Sequence, residues 1–267
     1  MDANRTVHAL WIGNQLSFVE KLTIKSFIDH GFDFNLWLYN PLVTSVPEQV
    51  NIRDAAEIIP RHDVFNYKYT NQFGHGKGSF AGFSDIFRYK LLYEYGGWWT
   101  DMDVTCLKTP DFADDYVFRT HHSLPLVGNI MKVPPKSELM KLCYKEASDK
   151  ITENNRDWHL PIQILADNVD KFGLSKYIRN FSNQDSWNII RNLLQKNMEM
   201  PEHWYFIHWV NEEWRRNRIS KLRTIKGSVL DTLLDKYDIH HKHAHNLRKI
   251  RLLFRLSLPG YIVNRYF

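Results

Sequence analysis

Residues 83–103 read FSDIFRYKLLYEYGGWWTDMD, and this stretch decides the fold. From Phe80 to Tyr95 the spacing predicts a helix, with Leu91, Leu92 and Tyr95 in its second half. Gly96-Gly97 ends it, because glycine takes the left-handed backbone that closes helices. Trp98 to Met102 then reads as a short strand running into a turn. Asp101 and Asp103 stand one residue apart on that turn, where both carboxylates can face one small ion. Hard divalent cations such as Mg2+ and Mn2+ take oxygen ligands and share them with substrate phosphates. Such an ion would neutralise a diphosphate leaving group. An isolated Asp-x-Asp arises readily by chance, so the neighbours decide its meaning. Ser84, Asp85 and Arg88 lie on the preceding helix, and Asp85 and Arg88, three apart, share a face.

Outward from this stretch the chain alternates strands and helices. Val7 to Ile12 (VHALWI) reads as a buried strand, Gln15 to Ile28 as a helix stopped near Gly31, and Phe34 to Tyr39 as a second strand closed by Asn40-Pro41. Strand–helix–strand predicts an α/β fold on a parallel sheet. Residues 66–79 are polar, contain glycine and read as a mobile loop. Strands are expected at 116–119, 126–133 and Tyr205 to Val210, and helices at 136–150 and 160–172. From about 227 onward the chain reads as helical and basic. The expected division is a catalytic-type domain over 1–226 and a basic helical extension over 227–267.

The bulk composition narrows the classes. A chain of 267 residues with 43% hydrophobic content supports one sizeable core. Cys106 and Cys143 form no CxxC pattern, which excludes a zinc–cysteine site and a disulfide scaffold; a reducing compartment is expected. No signal peptide and no run of eighteen apolar residues is seen, so a soluble or peripherally attached protein is expected. The net charge of +5 is uneven. Residues 215–267 hold 13 Lys and Arg against 3 Asp and Glu, a net +10, whereas 1–214 hold 22 against 27, a net −5. A basic C-terminal fifth suits an anionic partner: a membrane surface, a phosphorylated lipid carrier or nucleic acid.

The run from Ser84 to Asp103 resembles the signature S-D-x-x-R-x-x-x-L-x-x-x-G-G-x-Y-x-D-x-D of the family 32 glycosyltransferases, the large clostridial toxin glucosyltransferases and the capsule-synthesis transferases. Trp99 stands where that signature has tyrosine. The strand Trp11-Ile12-Gly13 is similar to one in the toxin-like members, where the tryptophan stacks on uracil. The alternative for Trp11 is a core residue of an edge strand. The segment Phe206 to Trp214 (FIHWVNEEW) resembles the closing motif of these families, though Trp209 directly follows His208 and Glu213 replaces a serine before Trp214. His208 is thereby a metal-ligand candidate; the alternative is a buried histidine bonded to a backbone carbonyl. Gly128-Asn129 resembles an asparagine-containing strand near the reacting sugar carbon. His159-Leu160-Pro161 sits where relatives have T-G-P, which marks His159 as an acceptor-side candidate.

The resemblance implies a GT-A fold, a Rossmann-like sheet flanked by helices, with donor and metal at the C-terminal ends of the strands. It implies a retaining hexosyltransferase that takes a nucleotide-sugar donor, UDP-linked by the Trp11 match, with Mn2+ or Mg2+. Asp103 ligates the metal, Asp101 supports it and contacts the donor, and Asp85 and Arg88 hold donor hydroxyls. Asn129 joins the catalytic group. Trp11, Ile12, Gly13, Ser84, Trp99 and Trp214 border the donor, and His208 completes the metal shell. The implied acceptor is a glycan or lipid-linked glycan in capsule, O-antigen or lipooligosaccharide assembly; no nucleic acid is expected. Two rival classes stay open: a metal-dependent phosphodiester hydrolase, and a non-catalytic nucleotide-sugar or lipid-binding module.

Two tail features stand apart. His240-His241-Lys242-His243-Ala244-His245 reads either as a transition-metal site or as a solvated segment. Leu247 to Ile262 interleaves Arg248, Lys249, Arg251 and Arg255 with apolar residues. That pattern reads as a basic amphipathic helix on an anionic membrane through 246–267, or as a terminal helix packed on the domain. A cytoplasmic location, peripheral on the inner face of the plasma membrane, follows as the expectation.

Overall fold

A computed structural model describes residues 5–244. In chain order the elements are β1 (Thr6–Trp11), α1 (Phe18–Asp29), β2 (Asp33–Leu38), β3 (Asn51–Asp54), α2 (Ala81–Tyr95), β4 (Gly97–Thr100), β5 (Val104–Cys106), β6 (Val117–Arg119) and β7 (Val127–Val133). They continue as α3 (Glu138–Lys150), α4 (Leu160–Lys171), β8 (Ile178–Arg179), α5 (Trp187–Gln195), β9 (Phe206–His208), α6 (Asn211–Arg216) and α7 (Val229–Lys236). The fold is α/β, as the strand–helix–strand opening implies, with the helix-flanked sheet expected of a GT-A domain.

The main sheet has seven strands in the order β3-β2-β1-β4-β7-β6-β8. β3, β2, β1 and β4 run parallel, in agreement with the sequence expectation. β7 then pairs antiparallel with both β4 and β6. The sheet is therefore mixed rather than parallel throughout. The reason is local: only residues 120–126 separate β6 from β7, a link too short for the crossover that parallel neighbours need. A second, two-stranded sheet pairs β5 with β9 antiparallel.

Side chains alternate along β1 between two cores. His8 and Leu10 face the layer of α2, α3 and α4, while Val7 and Ala9 face Ile24 and Phe27 of α1. A third cluster joins α1, α5 and α7 around Trp209 and Trp214. The start of α1 is fixed by a capping box: Ser17 Oγ accepts from Val19 N–H, and the Ser17 N–H donates to Glu20. Gly96 ends α2 with a positive φ of 64°, and a Cβ there would lie 2.4 Å from the Pro135 nitrogen, so only glycine fits.

Three expectations change. Residues 66–79 are irregular, as expected, but they are tied back: Tyr67 and Ser79 share a backbone bond, and the Gln72 side chain donates to Asp157. Helix α5, with Ile190, Leu193 and Leu194 buried on one face, was not anticipated by sequence. Beyond 227 only Val229–Lys236 is helical among the described residues; Asp238 turns to a φ of 53° and the chain then runs extended to pair His243 with Thr224. Leu230, Leu233 and Leu234 of α7 pack into the third cluster. The Leu247–Ile262 helix and the 246–267 membrane contact lie outside the described residues. Among the described residues no helix is long and apolar enough to cross a membrane.

Candidate active site

The chain leaves β1 outward to β2 and β3, then returns to place β4 on the other side of β1. Open α/β sheets bind ligands at such a reversal, beyond the C-terminal ends of the strands. Trp11 ends β1 there, and Asp101 directly follows β4. A cleft of about 640 Å³ opens at this point, bordered by Trp11, Arg88, Asp101, Asp103, Asn129 and His208 among others.

One side of the cleft is an arginine held between two carboxylates. Helical spacing sets Asp85 Oδ1 3.2 Å from Arg88 Nη1, and Arg88 Nη2 donates to Asp101 Oδ1 at 2.9 Å. The Trp99 indole N–H donates to the same oxygen at 2.8 Å, while Arg88 lies 5.1 Å above the Trp99 ring. Burial raises Asp85 to about 6; Arg88 opposes the shift and Asp101 adds to it. Burial likewise raises Asp101, against the pull of Arg88. A Cβ on Gly128 would stand 2.7 Å from Arg88 Nη1, so this glycine makes room for the guanidinium.

The other side is a relay of acids and a histidine. Asp103 is buried, accepts from the Asn211 N–H at 2.6 Å and lies 3.4 Å from His208 Nε2. His208 Nδ1 is 2.8 Å from Asp185, and Asp185 receives two bonds from Arg119 at 2.6 and 2.9 Å. Asn183 clamps the His208 backbone through both its amide atoms. Burial opposes charge on His208, but Asp185 and Asp103 raise it to about 10. Burial alone would push Asp103 up; the charge and bond of His208 outweigh it and hold the carboxyl below its usual range. Asp185 is held low in the same way by His208 and Arg119. Val210, β-branched, has a φ of 54°, a strained backbone that turns the next amide toward Asp103.

Three buried polar atoms of residues bordering the cleft lack partners: Arg88 Nε, Asn129 Nδ2 and Asn211 Oδ1. Such atoms are costly unless a ligand satisfies them. The far wall is aromatic. His159, Phe73, His75 and Trp158 have ring centroids 5.2–5.9 Å apart in successive pairs, and His75 Nδ1 lies 3.2 Å from Glu212.

The structure thus brings Trp11, Ile12, Ser84, Asp85, Arg88, Asp101, Asp103, Asn129, His159 and His208 to one cleft. Gly13, Trp99 and Trp214 do not border it. Gly13 sits against Trp11, where an added Cβ would lie a tight 3.2 Å from the indole nitrogen. Trp99 stands behind Asp101, and the Trp214 N–H is spent on the Trp209 carbonyl. Asp185, Arg119, Asn211, Glu212, His75 and Trp158 were not found from sequence. Neither Asp185 nor Arg119 lies in a motif, and they meet across 66 residues.

The donor set fits a hard divalent cation. Asp103 is ionised, and both hydrogen bonds to Asp101 land on Oδ1. His208, expected to complete the metal shell, instead faces a carboxylate with each ring nitrogen and is held as a cation, which offers no lone pair to an ion, so the chain's ligands here are Asp101 and Asp103. That suits an ion whose shell is completed by water and substrate phosphate.

A reversal-point cleft with an Asp-x-Asp turn and a carboxylate-bound arginine can hold a divalent cation together with a phosphorylated ligand. Residues 18–120 match the family described as "Glycosyltransferase sugar-binding region containing DXD motif". The matched stretch takes in α1, α2 and the Asp101–Asp103 turn, so the cleft's acidic turn lies inside a region similar to that of DXD-containing glycosyltransferases, which generally use a divalent metal. Similar solved structures include a PaToxG glycosyltransferase, at 14% identity over 63% of this chain and 68% of that one, TM-score 0.43. Others are a transferase solved as a double cysteine mutant (11%, 68% and 89%, TM-score 0.41) and the UDP-bound glycosyltransferase domain from the YGT toxin (11%, 94% and 81%, TM-score 0.38). Among curated proteins, no sequence matches this one.

Proposed function

We propose that the chain is a retaining hexosyltransferase that moves a sugar from a UDP-sugar to a glycan or lipid-linked glycan during surface polysaccharide assembly. The carrying observation is the Asp85–Arg88–Asp101 triad facing Asp103 and His208 across one cleft. Trp11 offers a flat, partly exposed ring for the base, its indole N–H held by the Gln15 carbonyl. Asp101 and Asp103 would hold Mn2+ or Mg2+, with His208 beside them. That ion supplies charge neutralisation of the departing diphosphate, the main electrostatic contribution in such transfers.

The remaining work falls to the chain. Arg88, fixed between two carboxylates, presents a rigid cation toward the donor sugar. Asn129 Nδ2, buried and unpartnered, is a ready donor for a sugar hydroxyl or the leaving oxygen. The Phe73, His75, Trp158 and His159 rings form an apolar wall on which an acceptor sugar can lie. A lipid-linked acceptor, met at the cytoplasmic face of an anionic membrane, accords with the basic 246–267 segment.

The test is a thermal-shift panel of UDP- and GDP-linked sugars, with and without Mn2+, on wild type and Asp103→Asn. A ligand that binds only the folded state raises the melting temperature by mass action. The expected result is a metal-dependent shift with a UDP-sugar, abolished in Asp103→Asn, and transfer to an acceptor sugar with retained anomeric configuration. A shift that is independent of metal and survives the substitution would overturn the proposal.

A further inference from the structure

Away from the cleft, helix α7 and the extended segment after it converge on one carboxylate. Ser228 caps α7 and accepts from the Asp231 N–H at 3.2 Å. This fixes Asp231 in the first turn, where its Oδ2 accepts from the Gly227 N–H at 2.8 Å. The chain then turns back at Asp238, and backbone bonds from Thr224 to Lys242 and from Ala244 to Thr224 hold the returning strand. That return sets His241 Nε2 2.9 Å and His243 Nε2 3.0 Å from Asp231 Oδ1.

We propose that Asp231, His241 and His243 form a transition-metal site, separate from the Asp101–Asp103 turn, that takes Zn2+ or a similar ion. Among the described residues, this is the single group of three whose ligand atoms all lie within 4.8 Å of one another. In a tetrahedral zinc shell with bonds near 2.1 Å, neighbouring ligand atoms stand roughly 3.4 Å apart. The observed 2.9 and 3.0 Å need to open by only a few tenths of an ångström.

Hydrogen bonding around His241 points the same way. Its Nδ1 is 2.8 Å from the Ile239 carbonyl, which accepts the Nδ1 proton and leaves the Nε2 lone pair toward Asp231. Metal-bound histidines are oriented by such a bond from their other nitrogen. The carboxylate is supported too, by Thr224 Oγ1 at 2.6 Å. His241 and Asp231 are both buried, with His243 on the open side. Asp235, one turn along α7 and exposed, has Oδ1 3.8 Å from His241 Nε2 and can close the shell, or water can. Two imidazoles and one carboxylate select zinc, copper, nickel or cobalt over Mg2+, whereas the carboxylate turn at the cleft has the opposite preference. Bound there, the ion would pin the segment that leads into the basic C-terminal residues against α7.

The experiment uses the full chain and the metal alone. Zinc affinity is measured by competition with a chromophoric chelator, and Co2+ is substituted to read coordination from its visible absorption. Wild type and Asp103→Asn should each bind one zinc at this site, with a four-coordinate Co2+ spectrum. His243→Ala and Asp231→Asn should each weaken zinc roughly tenfold or more. His243 is half-exposed, so His243→Ala should melt as wild type does without metal and lose the zinc-dependent rise. Failure of wild type to hold zinc, or equal affinity in Asp231→Asn, would overturn the proposal; the latter would mean that the histidine run binds without the carboxylate. Loss of binding in Asp103→Asn alone would overturn it as well, since the ion would then sit in the cleft.

Discussion

Replacing Asp185 by asparagine isolates the relay behind His208. Arg119 is almost wholly buried and its ion partner is Asp185, with a further bond to the Asn183 carbonyl. His208, raised to about 10, is a second buried cation on the same carboxylate. Asp185→Asn keeps the shape and one acceptor oxygen but removes the charge that both cations share. Breaking a buried pair from one side costs about 3–5 kcal/mol. The cleft admits water on one side, so the lower end, about 3 kcal/mol, is expected. For a chain of this size that lowers the melting temperature by about 6–12 °C. The sign with pH follows from His208. Its folded value lies above the ordinary 6.5, so its stabilisation is full below 6.5 and is lost as pH rises through about 10. Urea unfolding followed by tryptophan fluorescence should therefore show the largest gap between the two proteins near pH 6, narrowing toward pH 10. Transfer activity should fall about 10- to 100-fold, because Nδ1 loses the partner that orients the ring toward Asp103. A gap under about 0.5 kcal/mol at pH 6, against the expectation for a buried pair, or a gap that widens toward pH 10, would refute the reasoning.

Gly128→Ala places a Cβ against a guanidinium that two carboxylates hold still, so Arg88 must shift; turnover should drop about 100-fold with the fold retained, and wild-type kcat would contradict this. Asp85→Asn removes a carboxyl raised from 3.8 to about 6 by burial. The variant should be more stable than wild type by up to about 3 kcal/mol above pH 6, with no gain below pH 4, while donor binding weakens; a loss of stability at pH 8 would count against it. His8 is depressed from 6.5 to about 4, chiefly by burial, and its Nδ1 accepts from the Trp37 indole at 3.2 Å. Its neutral form stabilises the fold fully above pH 6.5, and about 3 kcal/mol is lost as pH falls toward 4; His8→Leu should flatten this acid limb, and an unchanged limb would exclude His8 as its source.

What could be read from the sequence is what the chain holds close together. The run from Ser84 to Asp103 contains a helix, its glycine stop, a strand and the acidic turn, and its parts meet within one crossing of the sheet. Arg88 reaches Asp101 from 13 residues away, and the helical spacing to Asp85 already put the two on one face. Asp185 is different. It meets Arg119 and His208 across 66 and 23 residues, through loops that carry no periodic pattern, so only the folded chain reveals it. Helix α5 did leave a signal: Ile190, Leu193 and Leu194 recur at helical spacing. Motif position also says little about side-chain direction. Trp99 and Trp214 occupy motif places, yet Trp99 supports Asp101 from behind and Trp214 braces the Trp209 backbone.

These placements share one physical consequence. The cleft gathers Asp85, Asp101, Asp103, Asp185 and Glu212 with Arg88, His75 and His208, and Arg119 backs Asp185 from behind, so each of these carboxylates has a fixed protein partner. Asp85 and Asp101 are both raised, because burial disfavours their charge more than Arg88 favours it. Asn129 and Asn211 each leave a buried polar atom unsatisfied, and Val210 holds a strained backbone. A chain selected for stability alone would relieve these costs by apolar replacement. Their concentration at the sheet reversal, where β1 and β4 end, is the expected pattern of a site organised in advance for a charged ligand. Donor and cation should therefore stabilise the protein together more than the sum of each alone, because each meets groups that the other leaves unpaired.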